Sequence, residues 1–295
     1  MAKKKTTSRK TSRKKTTARK KKTSSRRSSV ATEDYSSRIL NCVPSQDTHE
    51  DWNYDTALAA GLAGAVAIPA SKDLRENWWE IGDQGSTGSC VGWAAADSVL
   101  RWHLVNAGRL TTTENLSPRF TWMASKETDI FNSRPTTFIE NAGTSLKAAL
   151  DISRKFGAVR DTLLPFGTAK LYPGDARTFY AIASQFKIAN YINLGRNIQD
   201  WREWLADNGP ILTRLNVDQS WQSATSNDGE LDVYDPYPPN DGRGGGHAIA
   251  LVGYKPNKFI VRNSWGTGWG DQGFAYASDD YASDAFTEAY GVVIQ

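Results

Sequence analysis

Cysteine is nearly absent from this chain: its 295 residues hold two, Cys42 and Cys90. A framework of disulfides is therefore excluded as the support of the fold. Histidine is almost as scarce, with His49, His103 and His247 far apart in sequence. So few thiols and imidazoles make no ligand group at zinc spacing, and neither a metal nor any other cofactor is implied. Long apolar runs are also missing. The best candidate, residues 57–70, is made of small residues, carries Pro69 and is too short to cross a bilayer. No apolar stretch follows the charged start, so neither a signal peptide nor a membrane segment is expected. Acids are missing from residues 1–30, which hold 14 of the 36 Lys and Arg. The remainder keeps 22 basic against 32 acidic residues, a net of −10, so the formal +4 of the whole chain conceals a basic tail on an acidic body.

What is present divides the chain in three. Residues 1–30 are Lys, Arg, Ser and Thr with no aromatics. They cannot bury enough surface to offset their ordering entropy, and a disordered basic tail is expected. Such a block suits non-specific, backbone-driven nucleic-acid binding, and equally an import signal, an anionic-surface tether or a solubilising extension. Residues 31–70 form an approach segment with Cys42, His49, Trp52 and Tyr54 and no long helical periodicity. Residues 71–295, with the chain's 39% hydrophobic content behind them, should form the globular body.

The body is organised around Gln84-Gly-Ser-Thr-Gly-Ser-Cys90, a Gly- and Ser-rich loop that runs into Val91-Gly-Trp-Ala-Ala-Ala-Asp-Ser-Val-Leu100. Trp93, Ala96, Leu100, Leu104 and Val105 recur at helical spacing, and Gly108 closes a helix of about 18 residues. Cys90 then lies in the first turn, where unpaired N–H groups and the helix dipole favour an anion. A thiol so placed ionises more readily, and the thiolate is the nucleophile. Further on, Ser117-Pro118 marks a helix start, Thr144 or Ser145 caps a helix that ends near Gly157, and residues 198–208 make a short helix stopped by Gly209-Pro210. Alternation over 211–217 predicts a strand. Helices in the first half and strands in the second point to an α+β fold of two lobes.

The second half of a site follows. Gly244-Gly-Gly-His247 opens an apolar run to Tyr254, Lys255-Pro256-Asn257 makes a turn, and residues 258–263 return as a hairpin. Facing positions in a hairpin keep a constant sum, and His247 with Asn263 centres on residue 255. The pair should face each other within side-chain reach. A histidine there can take a thiol's proton, and an asparagine can fix its tautomer. His103, 13 residues beyond Cys90 on the same helix, is roughly 20 Å away and cannot serve that thiol. His49 has no strand partner or asparagine to orient it.

Gln84 with Cys90 six residues on, followed by His247 and by Asn263-Ser-Trp-Gly-Thr-Gly-Trp-Gly270, resembles the papain-like cysteine peptidases, of a bacterial or viral type without the long inhibitory propeptide. The likeness covers about residues 68–290 and begins with a Pro69 and Asp73-Leu-Arg75 pattern like the start of the family's mature domain. It implies a helical lobe and a β-barrel-like lobe with a cleft between them. It also implies peptide-bond hydrolysis through an acyl-thioester on Cys90, with His247 as base and acid, Asn263 orienting it and Gln84 in the oxyanion hole. Trp265 matches the tryptophan that covers the histidine–asparagine bond, and Gly143 the glycine segment that pairs with substrate backbone. Thr87 stands where many relatives carry a disulfide cysteine, and Val91 where an aromatic follows the nucleophile. The implied partner is a peptide or protein substrate. Acyl transfer or isopeptide cleavage on the same fold stays open, as does a nucleic-acid-associated protein with a non-catalytic papain-like scaffold. With Cys90 reactive, Cys42 is unpaired, which fits a reducing intracellular compartment: the cytoplasm, or the nucleus or a virion in view of the tail.

Overall fold

Why the central strand reads as one unbroken apolar run is seen in how its two faces are used. The computed structural model describes residues 1–2, 35–64, 67–128, 139–167 and 172–294. The chain separates into two units, 1–32 and 33–295, and every helix and strand among the described residues belongs to the second. The expected tail, residues 1–30, lies outside the described residues beyond its first two.

The helices are α1 (Tyr54–Ala59), α2 (Cys90–Gly92), α3 (Arg101–Asn106), α4 (Pro118–Thr128), α5 (Leu146–Lys155), α6 (Ala176–Ala183), α7 (Ile198–Asp207), α8 (Ser220–Ser223) and α9 (Asp279–Ala285). The strands are β1 (Lys72–Asp73), β2 (Ile188–Asn193), β3 (Ile211–Val217), β4 (Glu230–Leu231), β5 (Gly245–Lys255), β6 (Lys258–Arg262), β7 (Phe274–Ser278) and β8 (Phe286–Ile294). They form one sheet in the order β2-β8-β3-β5-β6-β7-β4, with β1 added to β5. All the pairings are antiparallel except β4 with β7.

Each face of the sheet carries its own core. Along β5, Ala248, Ala250 and Val252 join the cluster of Cys90, Ala94, Val99, Leu100 and Leu150. The alternate residues Ile249 and Leu251 join Trp201, Trp204, Trp221, Trp265 and Phe286 on the other side. Period-two alternation is therefore still present, but both sets are apolar because both faces are covered. This is the α+β, two-lobe architecture expected: a helical layer on one face, and on the other a layer of α7, α9 and the tryptophan-rich loops.

Local rules account for most of the helix ends. Ser117 caps α4 by accepting from the Phe120 N–H at 3.0 Å, with Pro118 in the first helical position where its missing N–H costs nothing. Ser145 caps α5 through the Ala148 N–H, and Asn197 caps α7 through the Gln199 N–H. The helix from Cys90 runs through α2, a π-helical stretch Trp93–Leu100 and α3, segments of three, eight and six residues without a break. Gly108 ends it with φ at +68°, a conformation open to glycine at no steric cost.

Candidate active site

Cys90 opens its helix with the N-terminus left uncapped. The side chain of Ser89, the residue before it, makes no capping bond; its hydroxyl pairs with that of Thr87 at 2.7 Å. The first-turn N–H groups are thereby left to the thiol. Thr87 also donates to the Gln84 carbonyl at 2.7 Å, so hydrogen bonds bind this loop where a disulfide would otherwise do so.

His247 stands on β5 and Asn263 just beyond β6, both fully buried. His247 Nε2 and Asn263 Oδ1 are 2.8 Å apart. An asparagine oxygen only accepts, so Nε2 carries the proton and Nδ1, buried and without a hydrogen-bond partner, is left as an acceptor near Cys90. The expected register, however, is not the one found. Lys255 faces Lys258 and Tyr254 faces Phe259; past an irregularity, Leu251 faces Val261 and Ala250 faces Arg262. The turn is the two residues Pro256 and Asn257, with Asn257 in the left-handed region at φ +61°. The ladder is thus centred beyond residue 255, and His247 and Asn263 meet diagonally. Their side chains make up the offset.

Two tryptophans flank the imidazole and a third backs them. Trp265 lies 5.1 Å from it centroid to centroid, Trp221 meets it edge-on at 5.5 Å, and Trp269 stacks on Trp221 at 4.7 Å. Trp221 is itself held by its indole N–H, which donates to Tyr281 Oη at 2.8 Å, and that hydroxyl donates to Asp218 at 2.8 Å. The sequence pointed to Trp265 alone; the aid given by Trp221 comes from the separate short helix α8 and has no local signature.

Gln84 joins the two halves. Its backbone N–H donates to Ser264 O at 2.9 Å, its Oε1 accepts from Ser264 Oγ at 2.9 Å, and its Nε2 donates one hydrogen to Thr87 O at 3.1 Å. The amide is locked in place with one hydrogen still to give. A second tie is Arg262 on β6, fully buried, whose guanidinium donates to Asp97 Oδ2 (2.9 Å), Ser98 Oγ (2.5 Å) and the Glu80 carbonyl (2.5 Å). Asp97 and Ser98 belong to the helix that Cys90 opens, and Arg262 precedes Asn263. Sequence reading missed this ion pair; its only trace was an aspartate inside an otherwise apolar helix.

The cleft is not open. Residues 38–45 run through it. The Cys42 N–H donates to Gly246 O at 2.9 Å, the Val43 N–H to Thr144 O at 3.1 Å, and Arg214 Nε to the Cys42 carbonyl at 3.0 Å. A Cβ built on Gly143 would lie 2.0 Å from Asn41 O, and one on Gly246 the same distance from Cys42 O. The walls lack side chains where another backbone passes. Upstream, Arg38 pairs with Asp83 and donates to Gly85 O at 3.0 Å, and Tyr35 stacks on Trp265 at 5.6 Å. Gly143 and Trp265, the two expected substrate contacts, are thus both occupied by the chain's own N-terminal segment.

The segment brings Cys42 into the buried cluster that holds Cys90, close enough for each thiol to act on the other's ionisation. The neighbouring Cys42 thiol first, then the nearby His247 imidazole and the Ala248 N–H, outweigh burial and hold the Cys90 thiol well below the ordinary range. Burial first, then the neighbouring Cys90, push the Cys42 thiol up. Of the other histidines, His103 is buried in α3 and His49 is exposed.

Known proteins resemble this chain in sequence and in fold. A sequence model described as papain family cysteine protease matches residues 68–290. Cathepsin F of Drosophila melanogaster is 25% identical over 255 residues, 76% of this chain but 36% of the relative, so the chain spans about a third of that protein. Papain of Carica papaya is 61% identical over 28 residues, 10% of this chain and 8% of papain. Among solved structures, xylellain, a cysteine protease from Xylella fastidiosa, superposes with a TM-score of 0.67 at 21% identity over 88% of this chain and 97% of its own. The Carica candamarcensis cysteine protease CMS1MS2, solved in complex with E-64, gives 0.55 at 19% identity over 77% of this chain and 100% of its own. At such identities the two structures speak for the fold. No helix among the described residues is long and apolar enough to cross a membrane.

Proposed function

The chain belongs to the papain family of cysteine proteases, and from that premise we propose that it hydrolyses peptide bonds through an acyl-thioester on Cys90. One observation carries the reading: His247 gives Nε2 to Asn263 at 2.8 Å and keeps Nδ1 for the thiol at an uncapped helix start. The imidazole takes the Cys90 proton, and the thiolate adds to the substrate carbonyl. The negative charge that develops on oxygen meets the Cys90 N–H and the second Nε2 hydrogen of Gln84, fixed in advance by Ser264 and Thr87. His247 then protonates the departing amine, and the thioester forms. Water, deprotonated by the same nitrogen, releases the acid and restores the thiol.

Residues 38–45 occupy the ground a substrate needs, so the arrangement described is a latent one and hydrolysis requires the segment to leave. The test is to incubate the full-length protein, reduced, with a peptidyl epoxide and a peptide substrate, and then map the label. Labelling confined to Cys90, with turnover lost in step, is expected. Turnover that survives complete labelling of Cys90 would refute the assignment.

A further inference from the structure

The chain's two cysteines lie far apart in sequence and come together in one buried cluster at the cleft, with the backbone around Cys42 fixed on both sides. Its N–H is bound to Gly246 O and its carbonyl to Arg214, while Cys90 is set by its helix. Neither thiol has another cysteine to bond, and both are free in this state. We propose that Cys42 and Cys90 form a reversible disulfide that locks residues 38–45 across the active site, so that oxidants store the protein in latent form and a dithiol releases it.

The pair is divided in the way exchange chemistry needs. Cys90 supplies the thiolate and Cys42 the retained proton, because one lies at a helix start near an imidazole and the other is buried beside Cys90 and Glu288, with only Arg214 to oppose the shift. A lifting of the segment admits a small hydroperoxide. The Cys90 thiolate attacks one peroxide oxygen and the O–O bond breaks. Sulfur, now a sulfenic acid, has lost two electrons, and the other oxygen leaves as hydroxide and takes up a proton to become water. The segment's return brings Cys42, whose sulfur attacks the sulfenic sulfur. An S–S bond forms, the S–O bond breaks, and the hydroxyl leaves as a second water with the Cys42 proton. In sum, two thiols and one hydrogen peroxide give one disulfide and two waters. Without Cys42 the sulfenic acid would stay exposed to further, irreversible oxidation to the sulfinic acid.

This inference rests on Cys90 being the reactive thiol, and the test separates the two ideas. Full-length wild type and Cys42→Ser are treated with hydrogen peroxide, and one portion is digested without reduction for mass spectrometry. The other is assayed before and after dithiothreitol. In the wild type, a peptide pair joined through Cys42 and Cys90 should appear as activity falls, and dithiothreitol should restore most of the activity. In Cys42→Ser the cross-link is absent, Cys90 accumulates as sulfinic acid, and most of the loss is permanent. Sulfinic Cys90 without a cross-link in the wild type, or equal recovery of the two proteins, would overturn the proposal. The cross-link is read by mass: a Cys90→Ala protein that kept its peptidase activity would refute the nucleophile and leave the lock to be judged on the cross-link alone.

Discussion

The two halves of the site are built by opposite means. The Cys90 half is one continuous stretch of chain, a loop held by Thr87 and then the helix that Cys90 opens. The His247 half is assembled from separate pieces: one strand, the residue after its neighbour, and tryptophans from α8 and from the loop after Asn263. A locally built half can be read from a dozen residues. A half assembled from the sheet depends on register, and there a few residues' error moves every side chain. What unites them is equally informative: Gln84 bonds Ser264, and Arg262 bonds Asp97 and Ser98, so each half reaches across to fix the other.

The contrast breaks most completely when either half loses its reacting group. Cys90→Ala and His247→Ala should each lower kcat on the order of a million-fold, because groups that act as one unit fail together, and the double variant should be no worse than either single one. Steady-state assay of the three reduced proteins checks this; additive losses would show that the halves act independently. Asn263→Ala, which removes only the orienting partner, should be milder.

The link between the halves comes next. Arg262→Ala removes the 2.9 Å partner of Asp97 and leaves it only Arg101 at 3.6 Å, a loss that should approach the cost of about 3–5 kcal/mol for a buried charge left with no partner. Urea unfolding should register that loss. Little change would mean that the pair holds neither half in place. Gln84→Ala should raise the barrier by about 3–4 kcal/mol, a hundred- to a thousandfold in kcat with KM nearly constant, as for loss of one oxyanion donor. A change confined to KM would make Gln84 a residue that binds substrate and does not stabilise the transition state.

His103 sharpens the comparison from within one helix. Cys90, at the start, has partners that favour its charged form; His103, toward the other end, is buried without them, and burial lowers its pKa to about 4 from 6.5. The neutral form is the folded one. As pH falls below about 6.5 the unfolded chain takes up a proton that the folded chain refuses, so stability drops between about 6.5 and 4 and levels off below. The loss should be about 2–3 kcal/mol by pH 4.5. Unfolding at pH 7 and pH 4.5 should show that His103→Gln lacks this part of the pH dependence. Equal pH dependence in the two proteins would contradict it.

The same contrast explains what the sequence disclosed. Ser117 with Pro118, Ser145, the Gly209-Pro210 stop and the strand 211–217 follow rules that span a few residues, and the structure reproduces them. The four catalytic candidates came from residue types and spacing, and His247 and Asn263 do meet. Their ladder did not follow the expected sum, because a two-residue turn at Pro256-Asn257 and an irregularity between Leu251 and Tyr254 reset the register. Most other contacts between distant positions left little trace in the sequence. Nothing near Cys42 announces that it will lie on Cys90, and the approach segment, with no helical periodicity, gave no sign that it threads the cleft. Trp221 and Arg262 belong to the same class: their partners are 26 residues away or more, at His247 and Asp97.

The central claim is that Cys90 is held as a thiolate and that His247 shares in holding it. It can be tested by following thiolate ultraviolet absorbance against pH in the wild type, with Cys90→Ser subtracted, and in Cys42→Ala and His247→Ala, each with its own Cys90→Ser counterpart subtracted. In the wild type the Cys90 signal should persist well below the ordinary thiol value of 9.0, and its midpoint should move up toward that value when either partner is removed, since both lower it. A midpoint that is the same in wild type and His247→Ala would contradict the account.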